Sequence, residues 1–298
     1  MGTTISVIIP VKNEESKIET CLKAVFSQTL KPCEVIVVDG HSTDKTVENA
    51  LKFPVQLYYE EYPTRAGANN VGIAKARGDY IAFTDADCIP DKNWLKHLHE
   101  EFKDGIVGVG GGIKNIGEGL WEESINLVAD TFLGSANSVQ GRYFKNKRFV
   151  NSISGCNSMY RREDIIACGG FNASLSTAED TDLNNRMLNL GKLLYTPHAI
   201  ILHNHKRGLK DFRKRMHQYG SGRAKSGLWD LQVVPPIAAI GVLLMAFVAF
   251  PAFVVLLVLY AAIIGGYTLF LLAKTRRPEY LISIPIVFVL EHVSYTFG

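Results

Sequence analysis

Charged residues are absent from a long part of this sequence. The 43 residues between Asp230 and Lys274 contain no Asp, Glu, Lys or Arg, although 20% of the 298 residues are charged. A gap of this length argues against a fully soluble chain and against a disordered one. The net charge of +3 is also small, and a nucleic-acid binder that relies on bulk positive charge would need more. We therefore expect no nucleic-acid partner.

Cysteine is scarce as well. The five cysteines are odd in number and form no Cys-x-x-Cys pair, which argues against a disulfide framework and against a zinc ribbon. Free thiols in a reducing compartment are the simplest interpretation. The N-terminal sequence MGTTISVIIPV has no basic region followed by a long apolar stretch, so no signal peptide is predicted. We expect a catalytic domain on the cytoplasmic side of the cell membrane.

The uncharged stretch predicts membrane helices. As one helix it would be roughly 65 Å long, whereas the hydrocarbon core of a bilayer is about 30 Å thick. Two spans over residues 233–250 and 252–272, with a turn near Pro251, fit this thickness better. A third apolar segment at 281–297 is weaker because it contains two ionisable residues. The sequence thus predicts a membrane domain at 231–298 with two to three helices.

A basic segment precedes the membrane domain. Residues 207–230 carry seven Lys and Arg residues, and Leu209, Phe212, Met216 and Tyr219 fall near one helical stripe. This pattern is typical of an interfacial helix that lies on anionic membrane lipids; an ordinary solvated helix face is the alternative. Basic residues at 274–277 follow the second span, in agreement with a cytoplasmic loop.

The first 206 residues predict an α/β domain. Short β-branched runs alternate with helical patterns from Ile5 to Thr84, which favours a mainly parallel, Rossmann-like sheet. We further predict a helix over 120–137, a strand over 153–160 and two short strands over 193–203 broken at Pro197. In parallel sheets, ligands bind at the carboxyl ends of the strands, and the polar clusters of this sequence occur where those strands end.

Two carboxylates, Asp85 and Asp87, end an apolar strand on either side of Ala86. At the mouth of a parallel sheet they would suit a hard divalent cation that bridges a diphosphate, although a capping role explains them equally well. His203 and His205 alternate at a later strand end. One of them could complete a metal site with Asp87, or each could be an ordinary core or surface histidine.

Other polar residues end neighbouring strands or begin a helix. Asp39 could accept a hydrogen bond from a nucleobase, or it could form a turn. Arg65 could pair with a phosphate. Glu179 and Asp180 begin a helix, where the helix dipole alone favours acids; the functional alternative is a general base that takes a proton from an acceptor hydroxyl.

The order of these motifs resembles family 2 glycosyltransferases over about residues 4–205. The matching motifs are Pro-Val-Lys-Asn-Glu, Val-Val-Asp-Gly-His-Ser-Thr-Asp, Asn-Asn-Val-Gly-Ile-Ala-Lys-Ala-Arg-Gly-Asp-Tyr-Ile, Thr-Asp-Ala-Asp, Gly-Cys-Asn, Gly-Gly-Phe and Ala-Glu-Asp. The membrane tail and the basic helix resemble the cellulose-synthase-like and lipid-linked-glycan branches of that family. The resemblance implies a GT-A, nucleotide-sugar-binding fold and a membrane-bound glycosyltransferase of the hexosyltransferase type.

The resemblance also implies roles for individual residues. Asp180 would be the catalytic base, with Glu179 beside it. Asp87 would hold Mn²⁺ or Mg²⁺, with Asp85 and with His203 or His205 as further ligands. The nucleotide-sugar site would be formed by Pro10, Val11, Asn13, Glu14, Asp39, Arg65, Asp85, Ala86 and Gly155.

Two motifs depart from the family pattern. Its frequent Asp-Asp-Gly-Ser is Asp39-Gly40-His41-Ser42 here, so that the second carboxylate is missing. The Gln-x-x-Arg-Trp of processive members has only a partial match beginning at Gln218. The second departure disfavours processive polymer synthesis and a long secretion channel.

The implied reaction is an inverting transfer from a nucleotide sugar to a hydroxyl of a dolichyl- or polyprenyl-linked glycan. GDP-mannose is the favoured donor, which would make the protein a mannosyltransferase, and a UDP-sugar is the runner-up. One alternative is a polyprenyl- or dolichyl-phosphate glycosyl synthase, whose anionic acceptor needs no base. The non-enzymatic alternative is a membrane-anchored module that binds nucleotide sugars.

Overall fold

The computed structural model describes residues 3–136, 138–140, 142–204, 208–227 and 233–298. The chain divides into two compact units. Unit 1 comprises residues 1–115 and 138–204, and unit 2 comprises residues 116–137 and 205–298. Residues 116–137, which belong to the predicted catalytic domain at 1–206, are thus grouped with the C-terminal helices.

Unit 1 contains nine strands and six helices among the described residues, with β6 ending at the boundary of the unit. Its strands are β1 (Ile5–Val11), β2 (Glu34–Asp39), β3 (Gln56–Tyr59), β4 (Tyr80–Thr84), β5 (Cys88–Pro90), β6 (Ile106–Ile116), β7 (Arg148–Val150), β8 (Asn157–Arg161) and β9 (Lys192–Asn204). Its helices include α1 (Ile18–Phe26), α2 (Thr46–Ala50), α3 (Arg65–Lys75) and α4 (Trp94–His99). The helices α7 (Arg162–Ala167) and α8 (Glu179–Met187) also belong to this unit, whereas α5 (Leu120–Ala129) and α6 (Phe132–Ser135) lie in unit 2. The described helices of unit 1 are therefore six, α1–α4, α7 and α8.

The strands form one sheet in the order β3-β2-β1-β4-β8-β6-β9-β5, with β7 paired to β9. Strands β1 to β4 pair in parallel, and β8 adds to β4 in the antiparallel direction. The strands β1 and β2 are buried almost throughout because helices cover both faces of the parallel half, as in other α/β sheets. The predicted α/β fold is confirmed.

Two strand predictions were wrong. The strand predicted to begin at Ile153 begins at Asn157. The two short strands predicted around Pro197 are one continuous strand, β9. Strand β7 pairs with residues 193–195 and β5 with residues 201–203. Pro197 lies between these stretches, so its missing N–H removes no hydrogen bond from either pairing.

Unit 2 consists of helices. They are α5 (Leu120–Ala129), α6 (Phe132–Ser135), α9 (Leu209–Ser226), α10 (Val234–Val248), α11 (Phe250–Thr275) and α12 (Tyr280–Thr296). The single helix predicted over 120–137 is divided, because the Thr131 side chain accepts a hydrogen bond from Gly134 N at 3.0 Å and caps a new helix. Asn137 lies outside the described residues.

The apolar stripe of α9 packs inside unit 2. Phe212 and Met216 are buried in a cluster with residues of α5, α11 and α12, whereas Lys210, Arg213 and Lys214 are exposed. The predicted amphipathic pattern is therefore present, but three of its apolar side chains, Leu209, Phe212 and Met216, pack against other parts of unit 2. Residues 207 and 228–230 of the predicted interfacial segment lie outside the described residues.

Among the described residues, one helix is long and apolar enough to cross a membrane, namely α11 with 26 residues. Helices α10 and α12 are apolar but shorter, with 15 and 17 residues. The break between α10 and α11 falls at Ala249, and Pro251 lies in the first turn of α11, where its missing N–H needs no partner. One face of α12 is buried against the rest of unit 2.

Candidate active site

The site lies at the carboxyl ends of β1, β2 and β4 in unit 1. Asp85 directly follows β4, and Asp87 directly precedes β5. Strand β5 pairs with β9 so that Cys88 lies opposite His203. This register brings His203 Nε2 to 3.2 Å from Asp87 Oδ1, a contact that spacing along the chain does not reveal.

A potential cation site is formed by Asp85, Asp87 and His203. One ligand atom from each lies within 4.8 Å of the other two. The side chains of Asp85 and Asp87 are 22% and 14% exposed, so an ion can reach them. Burial opposes protonation of His203, but its hydrogen bond with Asp87 outweighs burial and raises the pKa of His203 above its ordinary value. The fourth predicted ligand, His205, lies outside the described residues.

Arg65 connects this acidic pair with the second one. Its Nη2 donates to Asp85 Oδ1 at 2.6 Å, and its Nη1 donates to Glu179 Oε1 at 3.1 Å. Burial opposes the charge of Arg65, but the carboxylates of Asp85 and Glu179 outweigh it and hold the pKa of Arg65 above its ordinary range. Thr64 positions Arg65 at the start of α3, because its side chain accepts a hydrogen bond from Gly67 N at 3.0 Å.

Glu179 and Asp180 lie in the first turn of α8. Burial, opposed by Arg65 and reinforced by the charge of Asp180, raises the pKa of Glu179 to about 7. Asp180 is only half-buried. Its Oδ2 accepts hydrogen bonds from Gly155 N at 3.1 Å and from Gln140 Nε2 at 3.0 Å. Its Oδ1 accepts from Thr181 N at 2.8 Å, so three donors orient Asp180 while part of it stays exposed.

Gly155 lies close to the guanidinium group of Arg65. A Cβ atom at position 155 would lie 3.3 Å from both terminal nitrogens of the guanidinium group. Asp85, Arg65, Glu179, Gly155 and Asp180 therefore form one connected group of residues. Gln140 belongs to this group but has no sequence signal, because it lies in an irregular loop.

Hydrogen bonds connect the residues that follow β1 and β2. Both carboxylate oxygens of Asp39 accept hydrogen bonds from Ser42, from its N at 2.8 Å and from its Oγ at 2.5 Å. Asn13, at a positive φ of 54°, accepts a hydrogen bond from Thr43 N at 2.8 Å. The turn role of Asp39 is thus present, and the residue is buried.

The other predicted residues of this region occupy the same strand ends. Val11 is the register partner of Asp39, and Pro10 is that of Val38. Glu14 Oε2 forms an ion pair with Lys17 at 3.0 Å. Ala86 is buried between the two carboxylates of the cation site.

Asn157, which follows Gly155 in the Gly-Cys-Asn motif, is fully buried and holds the sheet together. Its Oδ1 accepts from Trp94 Nε1 at 2.8 Å, and its Nδ2 donates to the carbonyls of Gly112 and Ala199 at 3.0 Å each. This part of the motif has a structural role.

Comparison with known proteins agrees with this geometry. The fold is that of GT-A-like α/β enzymes: mannosyltransferase PcManGT from Pyrobaculum calidifontis, solved in complex with GDP-Man and Mn²⁺, is 19% identical with a TM-score of 0.64, over 98% of this chain and 86% of that one. Residues 6–169, more than half of the chain, match the family described as Glycosyl transferase family 2. The chain belongs to this family, and it is a glycosyltransferase.

Two archaeal relatives extend the comparison. A Methanococcus voltae protein named dolichyl N-acetyl-alpha-D-glucosaminyl phosphate 3-beta-D-2,3-diacetamido-2,3-dideoxy-beta-D-glucuronosyltransferase is 28% identical over 99% of this chain and 95% of its own length. Glycosyltransferase AglE of Haloferax volcanii is 30% identical over 76% of this chain and 75% of its own length.

Proposed function

We propose that this enzyme transfers a sugar from a nucleotide sugar to a hydroxyl of a lipid-linked glycan at the membrane, with inversion at the anomeric carbon. The observation that carries the proposal is Arg65, which binds Asp85 on the donor side and Glu179 on the acceptor side. Through it, the residues expected to hold the diphosphate lie in one connected group with Asp180, the proposed base.

The donor would bind at the strand ends. Asp39 and Glu14 lie where the nucleoside is expected, and Arg65 lies beside Asp85. The Nε of Arg65 is buried and has no hydrogen-bond partner among the described residues. A buried N–H without a partner is unfavourable, and a phosphate oxygen of the donor would satisfy it.

The donor set of the cation site fits Mn²⁺ or Mg²⁺. Carboxylates suit hard divalent cations, and an imidazole is a common ligand of transition metals, which favours Mn²⁺. Asp85, Asp87 and His203 would hold the ion. When bound, it would neutralise charge on the diphosphate leaving group.

Asp180 would act on the acceptor. Hydrogen bonds from Gln140, Gly155 and Thr181 orient its carboxylate, and its partial exposure leaves room for a hydroxyl. The acceptor oxygen forms a bond to the anomeric carbon, the bond from that carbon to the diphosphate breaks, and the acceptor proton moves to Asp180. Glu179 would position Arg65, because it is buried and already engaged with the guanidinium group.

The membrane location is supported by unit 2. Helices α10 and α11 expose many large apolar side chains, among them Phe247 and Val248 at 90% and 84%, and lipid would cover them. The Methanococcus voltae relative is named for a dolichyl-linked substrate, which supports a lipid-linked acceptor here. We place the catalytic domain on the cytoplasmic face.

GDP-mannose is the first donor to test, since a fold neighbour binds GDP-Man; UDP-sugars come next. A thermal-shift screen of the purified protein against both classes, with and without Mn²⁺, tests the donor proposal. We expect one class to raise the Tm, and more so with Mn²⁺. If no nucleotide sugar raised the Tm in either condition, the proposal would be wrong.

The acceptor needs a separate assay. Product analysis with a polyprenyl-phosphate acceptor and with a polyprenyl-linked sugar acceptor distinguishes this proposal from a polyprenyl-phosphate glycosyl synthase. The proposed base predicts a new glycosidic bond between two sugars. A product in which the sugar is bonded directly to the lipid phosphate would support the synthase instead.

A further inference from the structure

A second set of ligand atoms overlaps the cation site. The Sγ atoms of Cys88 and Cys156 and a ring nitrogen of His203 lie within 4.8 Å of one another. All three residues are buried. Neither the transfer reaction nor the hard-cation site uses these sulfur atoms.

The sheet brings these residues together. Cys88 begins β5 opposite His203 of β9, and Cys156 directly precedes β8. Asp87 Oδ1 lies beside two members of the set, 3.8 Å from Cys88 Sγ and 3.2 Å from His203 Nε2. The group thus contains two sulfurs, one imidazole nitrogen and one carboxylate oxygen.

The two separations that involve Asp87, 3.8 Å and 3.2 Å, resemble those around tetrahedral zinc. With Zn–S near 2.3 Å and Zn–N or Zn–O near 2.0–2.1 Å, tetrahedral geometry places neighbouring ligand atoms about 3.3–3.8 Å apart. The geometry points to a site for one thiophilic divalent cation, such as Zn²⁺, bound by Cys88, Cys156, His203 and Asp87. Binding displaces the two thiol protons to solvent.

This site and the hard-cation site exclude each other. Both use His203 and Asp87, so that only one ion can be held at a time. Thiolates select soft cations and carboxylates select hard ones. Zn²⁺ should therefore inhibit an Mn²⁺-dependent reaction by competition. The inhibition rests on the proposed function, whereas the binding of Zn²⁺ does not.

Binding is tested with Co²⁺ and Zn²⁺ on the full-length protein under a non-chelating reductant. Co²⁺ should give thiolate-to-cobalt charge-transfer absorption that saturates at one equivalent and disappears when Zn²⁺ is added. X-ray absorption of the zinc-loaded wild type should show two sulfur scatterers at about 2.3 Å. A zinc shell of nitrogen and oxygen alone would overturn the inference without the use of any variant.

The variants Cys88→Ser and Cys156→Ser should each weaken Zn²⁺ binding at least about tenfold. Loss of a group that only hydrogen-bonds to a metal ligand already lowers metal affinity by about this factor, and loss of the ligand itself should cost at least as much. Cys33→Ser is the matched control, since Cys33 is exposed and lies outside the cluster. Charge-transfer absorption that survives in both cluster variants would contradict the site. So would a Cys88–Cys156 disulfide that persists under the reductant, as seen by mass spectrometry.

The transfer assay separates the two claims. In wild type, added Zn²⁺ should inhibit transfer, and excess Mn²⁺ should reverse the inhibition. In Cys88→Ser, inhibition is measured against that variant's own zinc-free rate. The inhibition constant for Zn²⁺ should then be at least about tenfold higher than in wild type. Thiolate binding of Zn²⁺ with no transfer from any nucleotide sugar would refute the proposed function alone. Transfer without thiolate binding would refute the zinc site alone.

Discussion

His203 Nε2 lies 3.2 Å from Asp87 Oδ1, and this contact joins the two ends of the catalytic unit. Asp87 follows the parallel strands at the beginning of the fold, and His203 lies near the end of β9, the last strand of unit 1. The antiparallel pairing of β5 with β9 sets their separation. The cation site therefore depends on the pairing of β9 with β5.

The role of Asp180 as the base that takes the acceptor proton can be tested with the variant Asp180→Asn. The amide has nearly the same shape but cannot accept the proton, so we expect transfer to fall by roughly 10²–10⁴-fold while donor binding is kept. Rates and donor affinity are measured in parallel. Asp182→Asn on the same helix is the control, because Asp182 pairs with Arg186 at 2.7 Å. Undiminished transfer by Asp180→Asn would remove Asp180 from this role.

The raised pKa of Glu179 predicts a pH-dependent stability. Folding raises this pKa from 4.5 to about 7, so the folded state binds more protons than the unfolded state between these values. The contribution of Glu179 to the free energy of unfolding is complete below pH 4.5 and is lost as the pH rises towards 7. The loss is roughly 3 kcal/mol, since each unit of pKa difference corresponds to about 1.4 kcal/mol.

Glu179→Gln should lack this component of stability. The Tm of the variant should rise relative to that of wild type as the pH increases from 5 to 7.5, whatever constant offset the lost ion pair adds. Glu163→Gln, at an exposed position on α7, should show no such trend. Parallel Tm profiles for wild type and Glu179→Gln would contradict the assignment.

Much of the parallel half of the sheet could be predicted from the sequence. Buried parallel strands are nearly continuous apolar runs, and polar residues mark their ends, so Asp39, Asp85 and Asp87 were identifiable. The contacts that complete the site were not. Gln140 reaches Asp180 from an irregular loop, and the thiols of Cys88 and Cys156 meet only because β5 and the residue before β8 adjoin in the fold.

The C-terminal part was harder to predict for another reason. Apolar periodicity identifies a buried face but does not say whether lipid or protein covers it. Phe212 and Met216 of α9 illustrate this, because they are buried by other helices of unit 2. The close approach of α9 and α12 depends on Gly220, where a Cβ atom would lie 2.1 Å from the Tyr295 carbonyl oxygen.

Asn157 predicts a stability effect that is separate from catalysis. Asn157→Ala would leave Trp94 Nε1 without its acceptor and would remove a donor from the carbonyls of Gly112 and Ala199, at about 1–3 kcal/mol for a buried group left unpaired. We expect at least about 2 kcal/mol of lost stability, equivalent to a Tm lower by roughly 4–8 °C. Asn185→Ala, at an exposed position on α8, is the control for thermal unfolding. A Tm equal to that of wild type would show that Asn157 does not hold the sheet.

The most direct test of the account is calorimetric titration of the nucleotide sugar with and without Mn²⁺, in wild type and in Asp87→Ala. We predict that Mn²⁺ strengthens donor binding by wild type and that Asp87→Ala loses this effect, with donor affinity in Mn²⁺ at least about tenfold weaker. Equal donor affinity in the two proteins, with the same gain from Mn²⁺, would contradict the cation site on which the account depends.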